Sequence, residues 1–229
     1  MEQANSGLIL VGLVAIVDPL RHDIVEVVST LRGAGVRIAM VTGDFALTAL
    51  AIARDAGIIT SATVDFASAL ARFPTLDADG KFKQSAVSQD DRHSSSSRSG
   101  SSSIVISGPE LMSLNEQQWA SLTSYDEIVF ARTTPEQKLR IVREYQSKGN
   151  VVAMTGDGVN DAPSLKAADV GISMGSGSDI AMEAADMVLL ESFSSVVTAL
   201  QYGRVVFDNL KKVSRQMRFG ILSRGSIGR

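Results

Sequence analysis

Val152-Ala-Met-Thr-Gly-Asp157 is an apolar run that ends in a glycine turn and a carboxylate, and Ala39-Met-Val-Thr-Gly-Asp44 repeats that pattern earlier in the chain. Both runs have the composition of a buried strand. In open α/β sheets, ligands bind at the carboxyl ends of the strands. The repeat therefore predicts two parallel strands whose Thr-Gly-Asp turns lie at one ligand-binding edge.

Short apolar runs alternate with amphipathic segments through most of the chain, which is typical of a parallel sheet covered by helices. We therefore predict an α/β fold of Rossmann type. Thr134 is predicted to cap the helix that Pro135 begins, with Gln137 as its capping-box partner. The predicted strands cover about 8–17, 36–41, 104–106, 127–130, 151–154, 169–173 and 186–190, and the predicted helices about 23–34, 46–55, 115–122, 135–147, 162–168, 178–184 and 194–213.

Two regions depart from this alternation. Residues 60–103 include Asp77-Ala-Asp-Gly80 and a serine-rich run at 94–103, and they are polar and turn-rich. We predict that this insertion is largely disordered. Residues 214–229 are basic, with no acidic residue after Asp208. This tail is expected to fray or, alternatively, to rest on an anionic membrane surface.

The composition excludes several classes of protein. The 229 residues suffice for one domain, or two small ones, and the net charge of −3 argues against nucleic acid as a partner. The absence of cysteine excludes disulfides and thiolate zinc sites, and fits a cytoplasmic location. The longest apolar run, residues 8–17, is half the length of a membrane span of about 20 residues, so no membrane span is expected.

The loop that begins at Gly156 carries the strongest chemical signal. Asp157 and Asp161 lie four residues apart, beside Asn160, and two such carboxylates repel each other unless a cation or proton lies between them. Mg²⁺ commonly takes one or two carboxylates together with substrate phosphate. The loop therefore predicts a magnesium site, although Asp161 is also placed to cap the helix that follows.

Two further positions suit a phosphate. Thr42 and Gly43 follow a strand, where backbone N–H groups approach an anion closely, although the same residues suit an ordinary strand-to-helix turn. Lys138 lies in the first turn of a predicted helix, where the helix dipole opposes a cation. A bound phosphate would relieve that conflict.

Five motifs in this order resemble the phosphorylation domain of the P-type cation ATPases, a branch of the haloacid dehalogenase-like superfamily. The resemblance defines a partial domain over residues 7–213, and the Gly175-Ser-Gly-Ser-Asp179 stretch is most similar to the sodium/potassium-pump branch. The motifs are Val17-Asp-Pro-Leu-Arg21, Met40-Val-Thr-Gly-Asp44, Phe130-Ala-Arg-Thr-Thr-Pro-Glu-Gln-Lys138, Met154-Thr-Gly-Asp-Gly-Val-Asn-Asp-Ala-Pro163 and Gly203-Arg-Val-Val-Phe-Asp-Asn-Leu-Lys-Lys212.

The resemblance implies ATP and Mg²⁺ as ligands and a role for each motif residue. It assigns phosphate contact to Thr42 and Gly43, nucleotide contact to Asp44 and Arg132, and phosphate neutralisation to Lys138. It assigns Mg²⁺ to Asp157, the magnesium shell to Asp161, and phosphate orientation to Asn160. Lys138 and Thr42 are the expected catalytic residues. In that family the domain is cytoplasmic and belongs to a membrane pump.

The chain departs from the family in one respect. It contains no Asp-Lys-Thr-Gly-Thr segment, which carries the phosphorylated aspartate and supplies the central strand in the family. We therefore expect a pump fragment without that strand, with two inner sheet edges left unpaired. Two alternatives are a non-catalytic module that binds nucleotide or a full-length pump, and a soluble phosphatase that uses Asp77 as its nucleophile.

Overall fold

The computed structural model describes residues 9, 11, 12, 14, 19–70 and 103–224, with side chains described up to 215. Most of the strand predicted at 8–17 lies outside this part, and its four described residues carry no strand. Asp77 and the serine-rich run up to residue 102 also lie outside the described residues.

Helices and strands alternate through the described ranges, as predicted. The first half contains α1 (Ile24–Gly33), β1 (Ala39–Val41), α2 (Ala46–Asp55), β2 (Asp65–Phe66), α3 (Ala67–Leu70), β3 (Ser103–Ser107), α4 (Gly108–Met112), α5 (Glu116–Leu122) and β4 (Glu127–Ala131). The second half contains α6 (Pro135–Ser147), β5 (Ala153–Thr155), a 3₁₀ turn (Val159–Asp161), α7 (Ala162–Ala167), β6 (Val170–Met174), α8 (Asp179–Ala184), β7 (Met187–Leu189) and α9 (Ser195–Arg224).

The described strands form two parallel sheets. The order in the first sheet is β1-β4-β3-β2, and in the second it is β5-β6-β7. Met40 pairs with Val129 in the first sheet, and Met154 pairs with Gly171 in the second. Parallel pairing throughout confirms the predicted α/β class.

Contacts at both ends show that the two sheets run in the same direction. Arg37, just before β1, donates to Oδ1 of Asn150, just before β5, at 2.7 Å. Lys138, in the first turn after β4, contacts Asp161, in the loop after β5. The amino ends of β1 and β5 therefore lie on one side of the molecule, and the carboxyl ends of β4 and β5 lie on the other.

β1 and β5 are the facing edges of these sheets, and among the described residues each pairs on one side only. All five residues of β4 are buried, whereas Ala39 in β1 and Ala153 and Thr155 in β5 are exposed. A strand in the middle of a covered parallel sheet is normally buried on both faces. Within the described ranges, the two unpaired inner edges expected from the sequence are present.

The core packs on both faces of the first sheet. Val129 of β4 lies in the cluster that α1 and α2 cover with Val28, Ala49 and Ala53. Phe130 lies in the opposite cluster, which includes Trp119. This division follows from the alternation of side chains along a strand.

Some elements differ from the predicted ones. β2 and α3 lie within 60–103, where an unstructured insertion was predicted, and α4 begins after Ser107, whose capping box with Glu110 is visible in the sequence. α9 extends to Arg224, past residue 213, where the apolar pattern predicts its end. Among the described helices, none has the length and apolar character that crossing a membrane requires.

Candidate functional site

The loop after β5 folds tightly around the side chain of Asp161. Oδ2 of Asp161 accepts a hydrogen bond from the Gly158 N–H at 3.3 Å. A Cβ on Gly156 would lie 2.5 Å from the Cβ of Asp161, so only glycine fits at position 156. Asp161 precedes α7 but makes no side-chain capping bond to that helix. The helix-cap alternative for Asp161 is therefore wrong, because the carboxylate turns back into its own loop.

Lys138 reaches this loop from the first turn of α6. Its Nζ lies 2.6 Å from Oδ1 of Asp161, and both side chains are largely buried, at 14% and 12% exposure. The carboxylate supplies the negative charge that Lys138 needs at a helix amino end. The predicted conflict with the helix dipole is therefore relieved within the chain, so it gives no independent evidence for a phosphate.

Asp157 and Asn160 lie on the outer side of the same loop and are exposed. The main-chain carbonyl of Asp157 accepts a hydrogen bond from Ser178 at 2.8 Å, which anchors the loop against the start of α8. Within the described ranges, no cluster of three or more His, Cys, Asp or Glu residues is arranged to hold a metal ion. A cation at this loop would therefore have to take most of its oxygen ligands from a bound ligand and water.

The turn after β1 forms the second part of the site. The Thr42 hydroxyl contacts Oδ2 of Asp44 at 3.0 Å and accepts the Asp44 N–H at 3.1 Å. The main-chain carbonyl of Thr42 accepts hydrogen bonds from both the N–H and the hydroxyl of Thr133, at 3.0 and 2.9 Å. Gly43 is exposed, and an added Cβ would meet nothing within 4 Å. Packing inside the chain therefore does not require glycine at position 43.

Arg132 adopts an unusual backbone conformation between these two parts. Its φ is +50°, the one positive value among the described non-glycine residues. Its N–H donates to the Asp44 carbonyl at 2.8 Å. A non-glycine residue with a positive φ is strained, and such strained residues concentrate at functional sites.

The segment 132–138 joins the two parts of the site across the gap between the sheets. At its start, Arg132 and Thr133 bond to the turn after β1, and at its end Lys138 bonds to the loop after β5. Thr134 caps α6 through the Gln137 N–H, and the Gln137 side chain accepts the Thr134 N–H at 3.0 Å, which confirms the predicted capping box. The structure thus gathers the predicted site residues at one edge of the fold.

A charged cluster at the opposite edge was not predicted. Glu127 is 2% exposed and accepts hydrogen bonds from Thr60, Ser103 and Arg32. Burial alone would raise its pKa, but the hydrogen bonds from Ser103, Thr60 and Arg32 outweigh burial and lower the pKa to about 2. The sequence offers no local signal for this cluster, since Arg32 and Thr60 lie far from Glu127 along the chain.

The fold and the site together define the class of protein. The model of the haloacid dehalogenase-like hydrolase family matches residues 3–87 and 111–169, more than half of the chain. The chain therefore belongs to the haloacid dehalogenase-like hydrolases.

Individual relatives are more specific. The chain is 45% identical over 212 residues to the sodium/potassium-transporting ATPase subunit alpha-A of Artemia franciscana. This alignment covers 90% of this chain and 20% of the relative. It is also 45% identical over 211 residues to the potassium-transporting ATPase alpha chain 2 of Rattus norvegicus, covering 91% of this chain and 19% of the relative. The chain thus spans about one fifth of the length of these relatives. Their similarity confirms the resemblance to P-type cation ATPases.

A solved structure shows the same fold. The crystal structure of a zinc-transporting PIB-type ATPase in the E2.Pi state aligns with a TM-score of 0.53 at 24% identity, covering 85% of this chain and 21% of that one.

Proposed function

We propose that this chain is the phosphate-handling part of a P-type cation-transporting ATPase of the sodium/potassium or potassium-transporting kind. It binds the phosphates of ATP together with Mg²⁺, and the phosphoryl group is accepted by an aspartate of an Asp-Lys-Thr-Gly-Thr segment that this sequence lacks, on a strand that would lie between β1 and β5. Transfer would join an oxygen of that aspartate to the terminal phosphorus and release ADP.

The proposed contacts divide between the two parts of the site. On the β1 side, Thr42 and Gly43 contact phosphate, while Asp44 and Arg132 contact the nucleotide. On the β5 side, Asp157 binds Mg²⁺, Asn160 orients phosphate, and Lys138 neutralises phosphate charge. Asp161 belongs to the magnesium shell and also holds Lys138 in place. Lys138 and Thr42 are the proposed catalytic residues, since phosphoryl transfer depends mainly on positioning and electrostatic stabilisation.

The observation that carries the proposal is the bridge from Thr42 to Asp161 through residues 132–138. There the ion pair of Lys138 with Asp161, and the hydrogen bonds of Arg132 and Thr133 to the turn after β1, hold the two parts of the site together at the carboxyl edge of both sheets. This edge is where open α/β folds bind their ligands. The exposed inner edges of β1 and β5 support the position proposed for the acceptor strand.

The donor set fits Mg²⁺ only in company with a phosphate. Asp157 is exposed and Asp161 is already paired with Lys138, so the two aspartates of this loop offer one exposed carboxylate and one shared carboxylate. Mg²⁺ keeps several waters and accepts such sites when substrate phosphate completes them. When bound, the ion would offset the negative charge of the phosphate oxygens, and the side chains orient those oxygens.

The proposal is tested by titrating the full chain with ATP in the presence and absence of Mg²⁺, by calorimetry. Binding that depends on Mg²⁺ and is weakened at least tenfold by Lys138→Met is the expected result. Equal binding by the wild type and this variant, with both folded, contradicts the proposal.

Radiolabelling separates the alternatives. Acid-stable label from γ-labelled ATP that Asp77→Asn abolishes would favour the soluble phosphatase. Binding without turnover, together with co-purification of a full-length pump, would favour the non-catalytic module.

Flotation with anionic vesicles would identify the membrane surface as a further partner, through the basic end of α9.

A further inference from the structure

We infer that Phe45 is a positioning residue that holds the guanidinium of Arg132 in place for the nucleotide. This inference rests on the proposed function, because it gives a role to Arg132 in that site. Phe45 itself need not touch the nucleotide.

The contact between the two side chains is direct. Cζ of Arg132 lies 4.9 Å from the centroid of the Phe45 ring. Both residues are exposed, and Phe45 keeps 66% of its surface in solvent. A guanidinium within about 6 Å of an aromatic face is attracted to it. The ring therefore restricts a long side chain that would otherwise be free in water.

The backbone of Arg132 also favours this arrangement. Its φ is +50°, and its N–H donates to the Asp44 carbonyl at 2.8 Å, which places Arg132 against the turn that leads into Phe45. The carbonyl of Arg132 faces Gly108, where an added Cβ would lie 2.5 Å away. The N–H of Arg132 is thus bonded and its carbonyl packs closely against Gly108, whereas its side chain is exposed and contacts the Phe45 ring.

Phe45 is an unfavourable residue type for the N-cap position of α2. It is the N-cap of α2, with φ −63° and ψ 147°, and it makes no side-chain capping bond. Serine, threonine, aspartate and asparagine are strongly preferred at an N-cap, because their side chains accept an orphan N–H. A large, exposed aromatic residue at this position stabilises neither the helix nor the core. Its contact with Arg132 supplies a reason for its presence.

Substitution at position 45 therefore separates binding from stability. Phe45→Ser restores a cap and removes the ring without changing the net charge, so it should raise the thermal midpoint while weakening MgATP binding roughly two- to fivefold. Phe45→Trp keeps an aromatic face and should bind MgATP as well as the wild type or better. Phe45→Leu keeps apolar bulk but lacks the face, and should bind like Phe45→Ser.

A double-mutant cycle tests whether Phe45 acts through Arg132. In an Arg132→Gln background, Phe45→Ser should leave MgATP affinity unchanged, because the side chain that it positions is already gone. The NMR signal of the Arg132 Nε–H should also show a ring-current shift in the free wild-type chain that Phe45→Ser removes.

The outcomes are distinguishable from those that test the proposed function. If the ring-current shift is absent, or if Phe45→Ser weakens binding equally with and without Arg132, the positioning role is wrong. If the shift is present but the wild type binds no MgATP, the proposed function fails and the role in nucleotide binding fails with it.

Discussion

The ammonium of Lys138 and the carboxylate of Asp161 form an ion pair of 2.6 Å that ties the first turn of α6 to the loop after β5. Lys138→Met leaves that carboxylate largely buried, with the Gly158 N–H as its one remaining partner among the described residues, so we expect a loss of about 1–3 kcal/mol in the free energy of unfolding. Denaturant unfolding measures it. Lys166→Met, on the exposed side of α7, is the matched control and should change stability by less than about 0.5 kcal/mol.

A double variant tests the pairing itself. Lys138→Met combined with Asp161→Asn should cost less than the sum of the two single changes, because each single change leaves a partner unsatisfied. Strict additivity would show that the pair does not interact in solution.

The buried carboxylate of Glu127 should make the free energy of unfolding depend on pH. In the folded chain the pKa of Glu127 is about 2, below its ordinary value of 4.5. The stability that Glu127 contributes is therefore fully present above pH 4.5 and is lost as the pH falls toward 2. The contribution is about 3 kcal/mol near neutral pH. Glu127→Gln should therefore destabilise the chain at pH 7 and flatten the acid limb of its stability profile between these pH values.

The control for Glu127 is Glu191→Gln, which neutralises an exposed carboxylate in the loop after β7. It should leave both stability and the acid limb unchanged. An acid limb that is equally steep in Glu127→Gln and the wild type would contradict the assigned role of this cluster.

The two glycines of the site should respond differently to alanine. Gly156→Ala drives a Cβ to 2.5 Å from that of Asp161, so it should cost about 1–3 kcal/mol in stability. Gly43→Ala meets nothing within 4 Å and should fold like the wild type, yet it should weaken MgATP binding if Gly43 approaches phosphate. Thermal unfolding and calorimetry on both variants check this. Unchanged MgATP binding by Gly43→Ala would remove Gly43 from the proposed site.

Hydrogen exchange tests the inner sheet edges. The N–H groups of Thr42 and Gly156 donate to Phe130 and Ile172 on the neighbouring strands, so the N–H groups of Val41 and Thr155 point toward the gap. We expect Val41 and Thr155 to exchange much faster than Thr42 and Gly156 in the isolated chain. Equal protection of all four would mean that a further strand fills the gap.

Local signals in the sequence account for most of the fold. The bounds of α2 and α6 match their predicted ranges, and Thr134 and Gln137 cap α6 as predicted. α4 was missed although Ser107 and Glu110 form a recognisable capping box. β2 has only two residues, too few for its alternation to be read from sequence.

The residues of the proposed site can be named from the sequence, but the contacts among them cannot. The motifs identify Lys138 and Asp161, but their ion pair joins residues 23 positions apart, and sequence reasoning assigned a phosphate to Lys138 instead. Glu127 received no role, because its partners come from three separate segments. The stacking of Arg132 on Phe45 likewise depends on a backbone conformation that no local pattern indicates.

The most direct test of the central claim is the MgATP affinity of Asp157→Asn, measured by calorimetry beside Asp126→Asn, which removes an exposed carboxylate at the opposite edge. Both variants should fold like the wild type. We expect Asp157→Asn to weaken Mg²⁺-dependent ATP binding by at least tenfold and Asp126→Asn to leave it unchanged. Equal, Mg²⁺-dependent binding by the wild type and both variants would contradict the assignment of this loop to magnesium and phosphate.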